Sequence, residues 1–149
     1  TGLRVIDVSN PAAPVEVGDI DTPGYAKGVV VDSDHAYVAD ASSGLRVISV
    51  ANPESPSEVG SISSLTYVNG LDVEGNLVFL ADVAAGLVVV SVANPATPTQ
   101  IGSLGTPGGP RDVVVEGSIA YVADGNSGLR VISVANPAMP SALGVFDAV

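Results

Sequence analysis

A 42-residue period, short β-prone runs and a strict punctuation by Gly, Asn and Pro together predict an all-β fold of repeated four-stranded units. Gly2, Gly44, Gly86 and Gly128 stand 42 residues apart, and Asn10, Asn52, Asn94 and Asn136 keep the same step. So do Pro11, Pro53, Pro95 and Pro137, then Pro14, Pro56, Pro98 and Pro140, then Gly18, Gly60, Gly102 and Gly144. The ten residues GLRVISVANP at 44–53 recur unchanged at 128–137. Fixed self-similarity at this spacing marks a repeat architecture.

One unit, from Gly28 to Ser64, reads as four strands. Val29–Val31 is an apolar run closed by the turn Asp32-Ser33-Asp34, placing strand A at 28–32. Ala36-Tyr37-Val38-Ala39-Asp40 gives strand B at 36–40, and Ala41-Ser42-Ser43-Gly44 turns the chain. Leu45–Val50 is strand C at 45–50. The stiff loop Asn52-Pro53-Glu54-Ser55-Pro56 leads into strand D at 57–62. Short strands bounded by turn residues at regular spacing read as antiparallel. Four of them in about 40–45 residues make one blade of a β-propeller, with strand A innermost. Both faces of a blade are buried, so Leu45 and Val47 are expected between blades, and Val88-Val89-Val90 need not alternate. A β-solenoid fits less well, since its coils are shorter and lack four hairpin-like breaks.

Strand bookkeeping sets the extent. The chain opens with strands C and D at 3–8 and 15–20, and three A-B-C-D sets follow, ending with D at 141–146. That is a propeller segment of about three and a half four-stranded antiparallel blades: a half blade at 1–22 and blades at 23–64, 65–106 and 107–149. The opening residues already lie inside a repeat, which suggests a cut rather than a native start with a signal peptide. The expectation is a fragment of a longer propeller, or a symmetric oligomer that closes the ring. Either way, the outer blade faces would expose Val, Leu and Ile, and such patches mark association sites. Self-association of the isolated chain follows.

Composition bounds the partners. The 149 residues carry 16 acidic and five basic side chains, a formal net charge of −11. Nucleic-acid affinity rests on Lys and Arg neutralising phosphates, so no nucleic-acid partner is expected. Anionic lipid surfaces are disfavoured for the same reason. The run Leu87–Val90 is far short of the roughly 20 apolar residues of a membrane span. With no Cys and one His, neither a disulfide nor a typical zinc site can form.

The motif GLRVIDVSNPAAP at 2–14, echoed at 44–56, 86–98 and 128–140, resembles the LVIVD repeat family through Leu3, Val5, Ile6, Asp7, Asn10, Pro11 and Pro14. Tyr37-Val38-Ala39-Asp40, Phe79-Leu80-Ala81-Asp82 and Tyr121-Val122-Ala123-Asp124 are similar to related bacterial surface propellers. The resemblance implies a bacterial or archaeal β-propeller, extracellular, at the cell surface or periplasmic, of undefined activity. Asp7 becomes Ser49, Ser91 and Ser133, so that carboxylate is not expected to be a required group.

Repeats also sort the loops. The C–D loop is nearly constant, with Pro fixing φ and Asn bonding the turn backbone, a structural task in every blade. The D–A and B–C loops vary, and chain direction places both on one face of the ring. Binding residues sit on loops carried by rigid scaffolds, so Tyr25, Lys27, Tyr67, Asn69, Arg111 and Asp112 are the candidate contacts. Asp40, Asp82 and Asp124 recur at the end of strand B and are expected to accept backbone N–H bonds in the turn before Gly44, Gly86 and Gly128. Arg46 lies diagonally from Asp40, within reach of a cross-strand pair. Asp124-Gly125-Asn126-Ser127-Gly128 looks like a calcium loop, but the glutamate such a loop needs is Ala135. No nucleophile elbow, Walker loop or dinucleotide fingerprint is present. No catalytic residue, metal or cofactor is therefore assigned. The reading is a non-enzymatic module binding another surface protein or a carbohydrate. A lactonase- or glycosidase-type hydrolase completed by other blades is the alternative, and a structural surface-layer or adhesin repeat is a third.

Overall fold

The computed structural model describes residues 2–147. They form fourteen strands in four antiparallel sheets. The half blade is β1 (Gly2–Asp7) with β2 (Val15–Asp21). The first blade is β3 (Gly28–Asp32), β4 (His35–Ala39), β5 (Leu45–Ser49) and β6 (Ser57–Ile62). The second is β7 (Val68–Glu74), β8 (Leu77–Asp82), β9 (Gly86–Ser91) and β10 (Thr99–Leu104). The third is β11 (Asp112–Glu116), β12 (Ile119–Ala123), β13 (Leu129–Ser133) and β14 (Ser141–Phe146), with a 3-10 turn at Gly125–Ser127. Each full blade pairs its strands in chain order. The innermost strands β3, β7 and β11 contact one another in turn around the axis.

The strands fall where the punctuation puts them to within a residue, except that β7 starts at Val68, two residues early inside the expected D–A loop, because Val68 pairs with Asp82 across a bulge and its N–H bonds the Ala41 carbonyl at 3.0 Å. Strand B is 35–39 rather than 36–40, because the Asp40 N–H leaves the ladder and closes the hairpin onto the Gly44 carbonyl at 2.8 Å. Strand C ends at Ser49, since the Val50 N–H turns to the Asp34 carbonyl at 2.8 Å. The opening strands are 2–7 and 15–21 rather than 3–8 and 15–20.

Apolar faces pack blade on blade. Tyr37, Leu45 and Val47 meet Val78, Leu80 and Val88 of the next blade. Phe79, Leu87 and Val89 meet Ala120, Val122 and Ile132 in the same way. The half blade supplies Leu3 and Ile20 against Ala36, Val38 and Ile48. At a typical 1.5–3 kcal/mol per buried aliphatic or aromatic side chain, these seams dominate the stability.

The two most regular motifs also meet across each seam. A bulge interrupts the pairing of strands C and D in every blade. The D-strand glycine beside it lies under the C–D loop of the following blade: Gly18 under Pro53, Gly60 under Pro95, Gly102 under Pro137. A side chain on any of these glycines would collide with the proline carbonyl. The loops themselves hold their shape as expected, Asn10, Asn52, Asn94 and Asn136 each accepting the N–H two residues on at 3.2–3.3 Å.

The seam series stops at the ends. Nothing lies within 4 Å of where a Cβ on Gly144 would stand. Tyr121 is 39% exposed, whereas its counterparts Tyr37 and Phe79 are 4% and 2%. Strand β1 pairs only with β2, while its counterparts β5, β9 and β13 each pair on both sides.

Candidate ligand-binding face

Lys27 and Arg111 stand immediately before the inner strands β3 and β11, and Asn69 is the second residue of β7, the three spaced 42 residues apart. Backbone pairing fixes them on the rim. The N–H groups of Lys27 and Arg111 extend their ladders by bonding the carbonyls of Ala39 and Ala123, each at 2.8 Å. Asn69 occupies a bulge between Val68 and Gly70, and its Nδ2 donates to the Pro110 carbonyl at 2.9 Å, tying two blades. Lys27, Asn69, Arg111 and Asp112 line one open cavity of about 380 Å³, with Gly28 and Gly70 contributing bare backbone. Asp112 Oδ1 accepts the Val113 N–H at 3.0 Å.

The remaining two candidates flank the cavity rather than line it. The Lys27 ammonium lies 5.0 Å from the centroid of the Tyr25 ring and 5.9 Å from that of Tyr67, a cation–π arrangement. Tyr25 is 65% exposed. The third blade has Gly109 at this position, with φ 71°, so the aromatic pair belongs to the first two blades only.

Behind the rim, the recurring aspartates are fully buried. Asp40 accepts the Thr22 hydroxyl at 2.6 Å and the Gly24 N–H at 2.8 Å. Asp124 accepts the Thr106 hydroxyl at 2.6 Å, the Gly108 N–H at 3.1 Å and Arg130 Nε at 3.2 Å. Asp82 accepts four backbone N–H groups, from Thr66, Tyr67, Ala84 and Ala85, at 2.8–3.0 Å. The expectation that these carboxylates serve the turn ahead of them holds only for Asp82. Asp40 and Asp124 reach back to the D–A loop instead, because a guanidinium takes the place of the turn donors. Arg46 Nε is 3.5 Å from Asp40 Oδ2 without hydrogen-bond geometry. Where the repeat substitutes Val88 for Arg, Ala84 and Ala85 supply the donors. These aspartates anchor the variable D–A loops and are not open ligands. Among the described residues no group of three or more His, Asp or Glu could hold a metal ion.

Two features escaped the sequence reading. Asp72 bridges inner strands, its Oδ2 accepting the Val115 N–H of the next blade at 2.7 Å; it stands alone at its repeat position and so left no periodic signal. Asp32, Glu74 and Glu116 end the three inner strands, exposed, on the opposite face. The same 42-residue step that exposed Lys27, Asn69 and Arg111 marks them too. At about 3.3 Å per residue, five residues put this acidic end roughly 16 Å from the basic rim.

Sheets of four antiparallel strands stacked face to face around an axis, with inner strands adjacent, define a β-propeller segment. The LVIVD repeat model matches at residues 1–22, 23–64, 67–106 and 107–148, and the chain belongs to the LVIVD repeat family. No curated protein sequence matches the chain.

Proposed function

We propose that the chain is a non-enzymatic binding module of a secreted or cell-surface β-propeller, and that it binds through the rim formed by its D–A and B–C loops. One observation carries this: Lys27, Asn69, Arg111 and Asp112, which vary from repeat to repeat, line a single cavity, whereas the aspartates repeated at the end of strand B are buried in holding the loops. A rigid scaffold under divergent loops is the usual arrangement of a recognition surface. The partner classes it suits are carbohydrates and other surface proteins. Binding to an array of neutral and acidic glycans tests it, with a Lys27→Ala/Arg111→Ala rim variant and a Glu74→Gln/Glu116→Gln variant of the opposite face. Loss with the first and retention with the second is expected. Binding indifferent to the rim variant would overturn the reading.

The open ends belong to the same proposal. The exposed face of the third blade, with Tyr121 and Gly144, matches surfaces that the next blade covers inside the chain. We propose that another LVIVD blade, from a second copy or from further repeats, covers it in the same register. Light scattering over a dilution series checks this: a chain that stays monomeric, compact and stable at all concentrations contradicts it.

A further inference from the structure

The five basic residues divide sharply. Arg4 pairs with Glu16 at 3.2 Å and Asp19 at 2.9 Å. Arg46 lies 3.5 Å from Asp40 and 3.4 Å from Glu58, and Arg130 lies 3.2 Å from Asp124. Lys27 and Arg111 make no ion pair among the described residues, although acidic side chains outnumber basic ones 16 to five. These two unpaired cations line the same cavity.

Their donors are also free. The rings of Tyr25 and Tyr67 hold the Lys27 ammonium by their π faces, which supply no lone pair to its three N–H groups. The Arg111 guanidinium offers its planar fork of five donors. The acidic far end of the inner strands adds an axial gradient that favours an anion at this mouth over the other.

We propose that this cavity binds the carboxylate of an acidic sugar, a uronic acid unit of a polysaccharide, with Lys27 and Arg111 as the anion contacts. The proposal rests on the reading of this rim as the binding face. A guanidinium matches a carboxylate in bidentate geometry. Two cations beside Asp112 leave a local charge that suits a monoanion better than a phosphate, which the acidic protein repels more strongly. Backbone at Gly28 and Gly70, together with the Asn69 amide, offers polar contacts to ring hydroxyls. The exposed Tyr25 ring offers a flat apolar face beside them.

The test is calorimetric titration of the 149-residue chain with tetragalacturonate, its methyl ester and inorganic phosphate. Tetragalacturonate binds, the neutral ester binds about tenfold more weakly, and Lys27→Ala and Arg111→Ala each weaken the acid about tenfold. Lys27→Arg restores binding, and Glu116→Gln leaves it unchanged. Equal binding of acid and ester, with both weakened by Asn69→Ala, would overturn the carboxylate contact and leave the binding face standing. Binding that ignores every rim variant would overturn both. Phosphate matching tetragalacturonate, or no binding of the acid, would overturn the sugar assignment.

Discussion

Replacing Gly60 by Ala isolates the contact that joins one blade to the next. Gly60 does not use the left-handed φ region, so alanine suits its backbone and only space is at issue. The new methyl would collide with the Pro95 carbonyl oxygen and stand 3.0 Å from Pro98 Cδ and 3.1 Å from the Ala96 carbonyl carbon. The obstacles are mostly backbone, in a loop pinned by two prolines and by the Asn94 side chain. Overpacking by one methyl costs about 1–3 kcal/mol, and a rigid loop places this site at the upper end. The lost entropy of the unfolded glycine offsets about 0.4–1 kcal/mol. A net loss of about 2 kcal/mol lowers Tm by about 4–8 °C for a chain of this size. Gly144→Ala is the matched control, since nothing stands near its Cβ; it leaves Tm unchanged or raises it by about 1–4 °C. Thermal unfolding followed by circular dichroism at low concentration reads both. Equal shifts for the two variants would refute the seam argument. At concentrations where light scattering shows assembly, Gly144→Ala should lower the mass, because the added blade would bring its own proline loop onto that glycine.

Asp82→Ala takes the shared acceptor from four partly buried backbone donors and is expected to cost about 1–3 kcal/mol in urea unfolding; a loss below about 0.5 kcal/mol would show that the D–A loop does not depend on that carboxylate. Arg46→Val leaves Asp40 without its buried guanidinium and costs about 1–3 kcal/mol, whereas Arg4→Val removes exposed pairs worth at most about 1 kcal/mol; the reverse ranking would discount the burial argument. Burial, reinforced by the charge of Asp32, pushes the Tyr37 phenol above its ordinary 10.0. The unfolded chain therefore ionises first, and this stabilisation, complete below pH 10, is lost as pH rises through the folded value. Tyr37→Phe should flatten that alkaline loss in a pH series of unfolding, and an unchanged slope would count against it.

Strands and blades were legible because each blade is local. Its four strands lie within one 42-residue unit, and Gly, Asn and Pro mark every reversal. The contact of Gly18 with Pro53 was not legible, since no single blade contains it and a periodic glycine reads equally well as a turn residue. The same limit hid the partners of Asp40, which reach back 16 to 18 residues to Gly24 and Thr22. Sequence proximity pointed instead to the Gly44 turn. Rim residues were legible by difference between repeats, yet the cavity they share depends on three blades and could only be seen in three dimensions.

Repeat constraint explains why unpaired basic side chains survive at the rim. Every seam needs its glycine, its proline loop and an apolar face, so those positions are fixed by packing. Every B-strand aspartate needs donors, so the position at the start of strand C supplies arginine or the turn supplies N–H groups. The rim position at the start of the inner strand answers to neither demand. At Lys27 and Arg111 it contributes only backbone to the ladder, and the side chain lines the cavity. Asn69 uses its side chain to tie two blades through the Pro110 carbonyl, but Lys27 and Arg111 can differ there without loss to the fold, which is the property a recognition site on a repeated scaffold requires.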